Sequence, residues 1–360
     1  ADNGGRIYEW LKSMGVIKLL LPEVGTLGGY DSVRRMLTLD MVKTIAALKE
    51  TAVKKGALIL SSTTAERLTL GKNGEITGVS ARRKDSIAYY KANKGVILAS
   101  GCFTGSPEML YRWGGPALAN AMTLGAPTNT GDGMNMALSV GAAARLIYIP
   151  AIVEAMGPDD TRISMPQILW DGAIVVNKNA KRFVNECISC TLIGAETAKQ
   201  PEGCGYIIYD KMIPKAPSNF RLRNHIKQKG HVYTAQSLEE LEKMLGIPGL
   251  AATVKEYNSY VANGGDPIGR NCLQGDMGKP VKIENPPFYA IKASGGMYFS
   301  SAGIKTNPQA QVLNWNGEVI PRLYVAGQTR GRFAVPYHLG HAMVFGYFAG
   351  QNAAREKLLS

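Results

Sequence analysis

The sequence predicts an α/β protein whose main domain is interrupted by a separate α+β insert. Three observations predict it. An amphipathic helix over residues 40–55 runs straight into the apolar run Ala57-Leu58-Ile59-Leu60, the helix-to-strand succession from which α/β domains are built. Two further apolar runs, residues 96–99 and 322–326, lack the alternation of a half-solvated strand and end in glycine-containing turns, as strands buried on both faces do. The residues between them follow a different order of hairpin and helix signals, so the main domain is read as 1–148 plus 286–360 and the insert as 149–285.

The elements follow in chain order. Ile7, Trp10, Leu11 and Met14 recur at helical spacing and Gly15 supplies the left-handed stop, predicting a short surface helix. In the helix over 40–55, Met41, Ile45, Leu48 and Ala52 form the inward stripe and Gly56 ends it. Residues 67–70, the Asn73-Gly74 turn, 75–82 and 86–91 read as a three-stranded meander. In the insert, residues 172–176 and 181–186 form a hairpin around a turn at 177–180. Ser237 with Glu240 makes a capping box for a helix that stops at Gly246. A second helix over 251–262 faces Val254, Tyr257 and Val261 inward. Pro286-Pro287 fixes the backbone as a stiff connector, and a last helix runs over 340–354.

Composition narrows the functional classes. The longest apolar stretch, residues 146–153, is far short of the roughly 18 residues of a membrane span. With 41 basic and 28 acidic residues the net charge is +13, which favours an anionic ligand or acidic partner. No Lys/Arg block with interleaved aromatics marks a nucleic-acid groove. Five cysteines are too few and too odd in number for a disulfide framework, which points to a reducing compartment, the cytoplasm. Cys187 and Cys190 have C-x-x-C spacing, but no second such pair completes a metal site, so packing or substrate lining is the expected use and no metal is expected. The chain opens without an initiator Met, as a piece of something longer would.

Three loops carry the chemistry: Ala99-Ser100-Gly101-Cys102-Phe103, Thr130-Gly131-Asp132-Gly133, and Ala326-Gly327-Gln328 with Gly340 opening the last helix. Glycine removes the Cβ where a backbone must meet a ligand, and a helix N-terminus offers free N–H groups with the positive end of a dipole. In that order, and with Arg182-Phe183-Val184-Asn185-Glu186 and Pro287-Phe288-Tyr289, the segments resemble the fumarate reductase/succinate dehydrogenase flavoprotein superfamily over essentially the whole chain. The resemblance implies FAD, an incomplete Rossmann-like FAD-binding domain, and a capping domain that closes over substrate. It assigns cofactor contacts to Ala65, Ser100, Gly101, Thr130, Gly131, Asp132, Gly133, Gly327, Gln328, Gly340, Ala342 and Met343.

Dicarboxylate-reducing members carry arginine where this chain has Cys190 and His338, so the two-carboxylate clamp is missing. The run Ala342-Met343-Val344-Phe345-Gly346-Tyr347 resembles instead the 3-ketosteroid dehydrogenase branch, which works on a carbon pair beside a ketone. That implies Tyr337 or His338 as the acid/base group, with Cys190, Ser294 and Gly295 lining substrate; a locally bonded Tyr337 and a capping His338 are the alternatives. Arg182 and Glu186 are expected to pair and hold the hairpin. No G-x-G-x-x-G occurs, so the nucleotide-binding βαβ unit is expected on a second polypeptide. The expected function is hydride transfer between flavin and a carbon–carbon bond next to a carbonyl. A non-catalytic subunit that docks an electron-transfer partner is the second reading.

Overall fold

The structure, a computed structural model, describes residues 3–15, 19–21, 38–39, 41–116, 122–123, 125–145, 152–158, 162–163, 167–213, 220–273, 278–297, 300, 302–331 and 338–359. Helix α1 (Gly4–Ser13) buries Ile7 and Leu11, one turn apart, and Gly15 follows at φ +67°. The pair packs on the last helix against Met343, Val344 and Tyr347, and the Trp10 ring meets Tyr347 edge-on at 5.0 Å. Helix α2 (Met41–Lys54) forms as expected, with Met41, Leu48 and Ala52 of the expected stripe half-buried but Ile45 outside it. Thr44 is its fully buried residue, while Ile45 and Val42 point outward and exposed. The apolar run 57–60 forms no strand: Leu58 is 88% exposed, because no neighbouring strand pairs with it among the described residues.

The meander is present as β1 (Thr63–Leu70), β2 (Ile76–Arg83) and β3 (Ser86–Lys91), all antiparallel. Strand β4 (Val96–Leu98) leads to α3 (Pro107–Gly114) and α4 (Asp132–Ser139). Residues of β1, β2, β4, α3 and α4 share one core, including Leu68, Ile76, Leu98, Leu110 and Met134.

Among the described residues a seven-stranded sheet, which takes Met122–Thr123 and β8 from outside the insert expected at 149–285, has a main path that includes β5 (Ile152–Met156), β6 (Ile174–Val176), β7 (Cys204–Asp210) and β8 (Phe288–Met297). Its central strand β8, which begins two residues past the boundary expected at 286, pairs antiparallel with β5 on one side and β7 on the other. Strand periodicity sorts the core: Val175, Ile207, Tyr209, Ile291 and Ala293 face one side, and Ile174, Val176, Ile208 and Ala290 face the other. The first side is covered by α5 (Cys190–Ala198), and the second by α6 (Leu238–Leu245) and α7 (Leu250–Asn263). Ser237 caps α6 by accepting from the Glu240 N–H at 3.0 Å, while Glu240 accepts from the Gln236 N–H at 2.7 Å. The expected hairpin over 172–186 contracts to one bridge, Val176 to Arg182, because Asn177 Oδ1 binds the N–H groups of Asn179 and Lys181 and tightens the turn.

The chain returns through β9 (Gln311–Leu313) and β10 (Val319–Val325) and ends in α8 (His338–Arg355). Strand β10 runs parallel to β4 and antiparallel to β9, giving the order β9-β10-β4. Strand β4 is therefore an edge. Ile97 is half-exposed, which corrects the expectation that this run is buried on both faces.

Candidate functional site

The parallel pair β4/β10 brings two of the three loops together at its carboxyl end. The Ala326 N–H donates to the Leu98 carbonyl at 3.0 Å, so the chain leaves both strands side by side. One loop continues as Ala99 to Phe103 and the other as a single 3-10 turn, Gly327–Thr329. Thr329 ties them by donating its hydroxyl to the Gly101 carbonyl at 2.9 Å. The third loop joins through Ser100, whose Oγ accepts the Gly133 N–H at 3.0 Å in the first turn of α4 and lies 3.5 Å from the Thr329 hydroxyl. Next to it the Gly131 N–H donates to the Cys102 carbonyl at 3.1 Å. Within the third loop the Thr130 hydroxyl donates to Asp132 at 3.0 Å.

The glycines fall into two kinds. A Cβ on Gly101, at φ +87°, would lie 2.2 Å from Asn129 Oδ1, and one on Gly133 would lie 2.3 Å from Ser100 Oγ, so these two let the loops interlock. Gly327, at φ +64°, and Gly340 have nothing within 4 Å of a Cβ and border open space. An interlocked base under a bare backbone rim suits a flat, polar cofactor such as a flavin, so the residues fit the group the sequence implies. Ala65 lies exposed in β1 opposite Ala81, and Gln328 and Ala342 are half-buried. Met343 faces α1 in the helix-packing cluster. Tyr337 lies outside the described residues, as does the side chain of His338.

The insert holds the remaining candidates. Cys190 opens α5 and is packed against the core on that side of the sheet. Ser294 and Gly295 lie in β8; a Cβ on Gly295 would come 2.7 Å from the Gly194 carbonyl, so Gly295 lets α5 sit down on the strand. Arg182 and Glu186 pair bidentately at 2.7 and 3.0 Å, Arg182 also meets Asp266 at 2.8 Å, and Arg270 stands 3.5 Å from Glu186. Burial is the largest single influence on the Arg182 guanidinium and lowers its pKa, but Glu186 and Asp266 together outweigh it and hold the pKa above its ordinary value. Cys187 does not turn to Cys190; its thiol donates to the Cys272 carbonyl, and burial pushes its pKa up. Among the described residues no cluster of three His, Cys, Asp or Glu is placed to hold a metal, and no helix is long and apolar enough to cross a membrane.

Three residues that sequence reading missed help to build the site. Asn129 fits against Gly101, Thr329 bridges two loops, and Arg330 sits buried beside the first turn of α8, with Nη1 2.7 Å from His341 Nε2. Thr329 and Arg330 directly follow Gly327-Gln328, the available signal in the sequence.

Comparison with known proteins agrees with this geometry. The family model described as "FAD binding domain" matches residues 23–341. A probable fumarate reductase of Shewanella frigidimarina is 29% identical over 87% of this chain and 53% of its own length. A 3-oxosteroid 1-dehydrogenase of Mycobacterium tuberculosis is 27% identical over 79% of this chain and 57% of its own length. The solved open conformation of a flavocytochrome c3 fumarate reductase superimposes with a TM-score of 0.81 at 26% identity, covering 99% of this chain and 63% of that one. The chain thus spans somewhat over half the length of these relatives.

Proposed function

The chain belongs to the FAD binding domain family, and from that premise we propose that it is the larger part of an FAD-dependent oxidoreductase acting on a carbon–carbon bond next to a carbonyl. The observation that carries the proposal is the convergence of three glycine loops on Ser100 and Thr329 at the carboxyl end of a parallel strand pair. FAD held there supplies hydride transfer. The chain's own residues do the rest. The first turn of α4 turns the positive end of its dipole to the loops, and Gly327 and Gly340 admit the cofactor. Tyr337 or His338, on the run entering α8, exchanges a proton at the substrate carbonyl. Residues 149–285 act as the cap, with Cys190 towards substrate. Cys190 and His338 in place of the clamp arginines favour a keto substrate over fumarate, although both kinds of enzyme occur among the relatives.

The open edge at β4 and the exposed run 57–60 support a second part of the proposal. A strand–glycine-loop–helix segment on a second polypeptide completes the sheet and the pyrophosphate site. The low, odd cysteine count supports the cytoplasm as its compartment. The test is to purify the chain with its partner, look for flavin absorbance near ~450 nm, and follow reoxidation of the photoreduced flavin by a cyclic enone and by fumarate. Faster reoxidation by the enone is expected, with Tyr337→Phe slowing it about 100-fold while flavin is retained. No flavin, or no reoxidation by any acceptor, refutes the assignment; the latter result favours a non-catalytic docking subunit.

A further inference from the structure

Arg330 is 8% exposed, and its hydrogen-bond partners among the described residues are the neutral Thr306 and His341. Nε donates to the Thr306 hydroxyl at 2.5 Å, Nη1 lies 2.7 Å from His341 Nε2, and the guanidinium stacks 3.7 Å over Phe345. Among the described residues the charged group that acts on it is another cation, Arg145. No carboxylate forms an ion pair with it among the described residues. The described residues that meet it, Arg145, Thr306, His341 and Phe345, include no Asp or Glu. A buried cation without an anion is costly in a protein interior, and a second arginine beside it raises that cost. Burial and Arg145 accordingly pull the Arg330 guanidinium down to about 10. The surrounding elements add positive charge instead of cancelling it, since Arg330 lies against the first turn of α8, where a helix presents the positive end of its dipole.

This unbalanced charge stands one residue beyond Thr329, the junction of the three loops. We propose that Arg330, backed by Arg145 and His341, is the counter-charge for the negative charge the bound flavin gains on reduction, and so sets the cofactor's potential. The inference rests on the FAD reading above. It assigns Arg330 a role towards the cofactor's electronics, separate from proton transfer at Tyr337 or His338. A fixed cation in a low-dielectric pocket stabilises the reduced, anionic form more than the oxidised, neutral one, and it favours addition of an anion to the oxidised ring for the same reason.

The test uses the flavin-loaded protein and reads potential and sulfite affinity, neither of which needs a substrate. Arg330→Met is expected to weaken sulfite binding about tenfold or more and to lower the two-electron midpoint potential, by about 30 mV for each tenfold loss in stability of the reduced form. Arg330→Lys, which keeps the charge, is expected to retain most of both. Potential and sulfite affinity within about twofold of the parent in Arg330→Met, or an equal loss in both variants, would overturn the proposal. An unchanged potential with a raised KM for carboxylate substrates alone would also overturn it and move the arginine's partner to the substrate. A parent protein without flavin overturns the FAD reading itself, a result distinct from flavin bound at an unshifted potential.

Discussion

Two apolar strands of the same kind meet opposite fates in this molecule. Ile174-Val175-Val176 is buried at every residue, between a neighbour strand and cores on both faces of the insert sheet. Val96-Ile97-Leu98 is an equally apolar run, yet among the described residues it forms a sheet edge with Ile97 exposed, and the run Leu58-Ile59-Leu60 is exposed as well, most of all at Leu58. Local sequence does not separate the two. Among the described residues each is the terminal strand of its sheet with one neighbour, but packed residues cover both faces of β6, whereas β4 is left partly open. Buried ion pairs at Glu186 hold the region around β6. Among the described residues nothing pairs with the outer side of β4.

The sharpest way to break this comparison is inside the insert. Glu186 is fully buried and neutralises Arg182 and Arg270 while accepting the Val175 N–H at 3.1 Å. Glu186→Ala strands buried Arg270 and leaves Arg182 with Asp266 alone, and an expected loss of about 3–5 kcal/mol is measurable by urea unfolding. A loss below about 1 kcal/mol would mean that the insert does not depend on its ion pairs. An intermediate effect is expected on the flavin side. Gly133→Ala drives a Cβ onto Ser100 Oγ and should cost about 1–3 kcal/mol in thermal melts, together with flavin retention. Adding Ser100→Gly to the same chain removes the clash, so partial recovery of the melting temperature is the expected signature of interlocked loops. The smallest change in stability belongs to the open edge. Leu58→Asp with Ile59→Asp should alter the chain's own stability by no more than about 0.5 kcal/mol per substitution, because both side chains already face solvent. The pair should nonetheless abolish co-purification with a partner that completes the sheet. A large loss of stability in the isolated chain would show that this stretch is packed after all.

Much of the molecule was legible because its signals are local. Asn73-Gly74 turns between β1 and β2 with Gly74 at φ +77°, Ser237 caps α6, and Gly101, Gly131 and Gly327 take the left-handed conformations that make glycine informative. Each depends on residues within a few positions, so spacing in the chain reveals it. The Arg182–Glu186 pair was readable for the same reason, four residues apart on one turn.

Other features depend on residues far apart in the chain. The side of α2 that faces inward was misread at Ile45, because both sides of the helix carry apolar residues and only the packed neighbours choose between them. Cys187 meets Cys272 across 85 positions and not the Cys190 suggested by spacing. Arg330 becomes meaningful only when Arg145, Thr306 and Phe345, distant in the chain or beyond the next loop, come together around it. The sequence by itself determined the class of fold, the glycine turns and the order of the cofactor loops, since these follow from backbone conformation and short-range hydrogen bonding. Tertiary structure alone decided which apolar strand is covered, how the loops lock through Ser100 and Thr329, and which buried charge lacks an anion. Burial and electrostatic balance are sums over every neighbour in space, and no short window of sequence contains those neighbours.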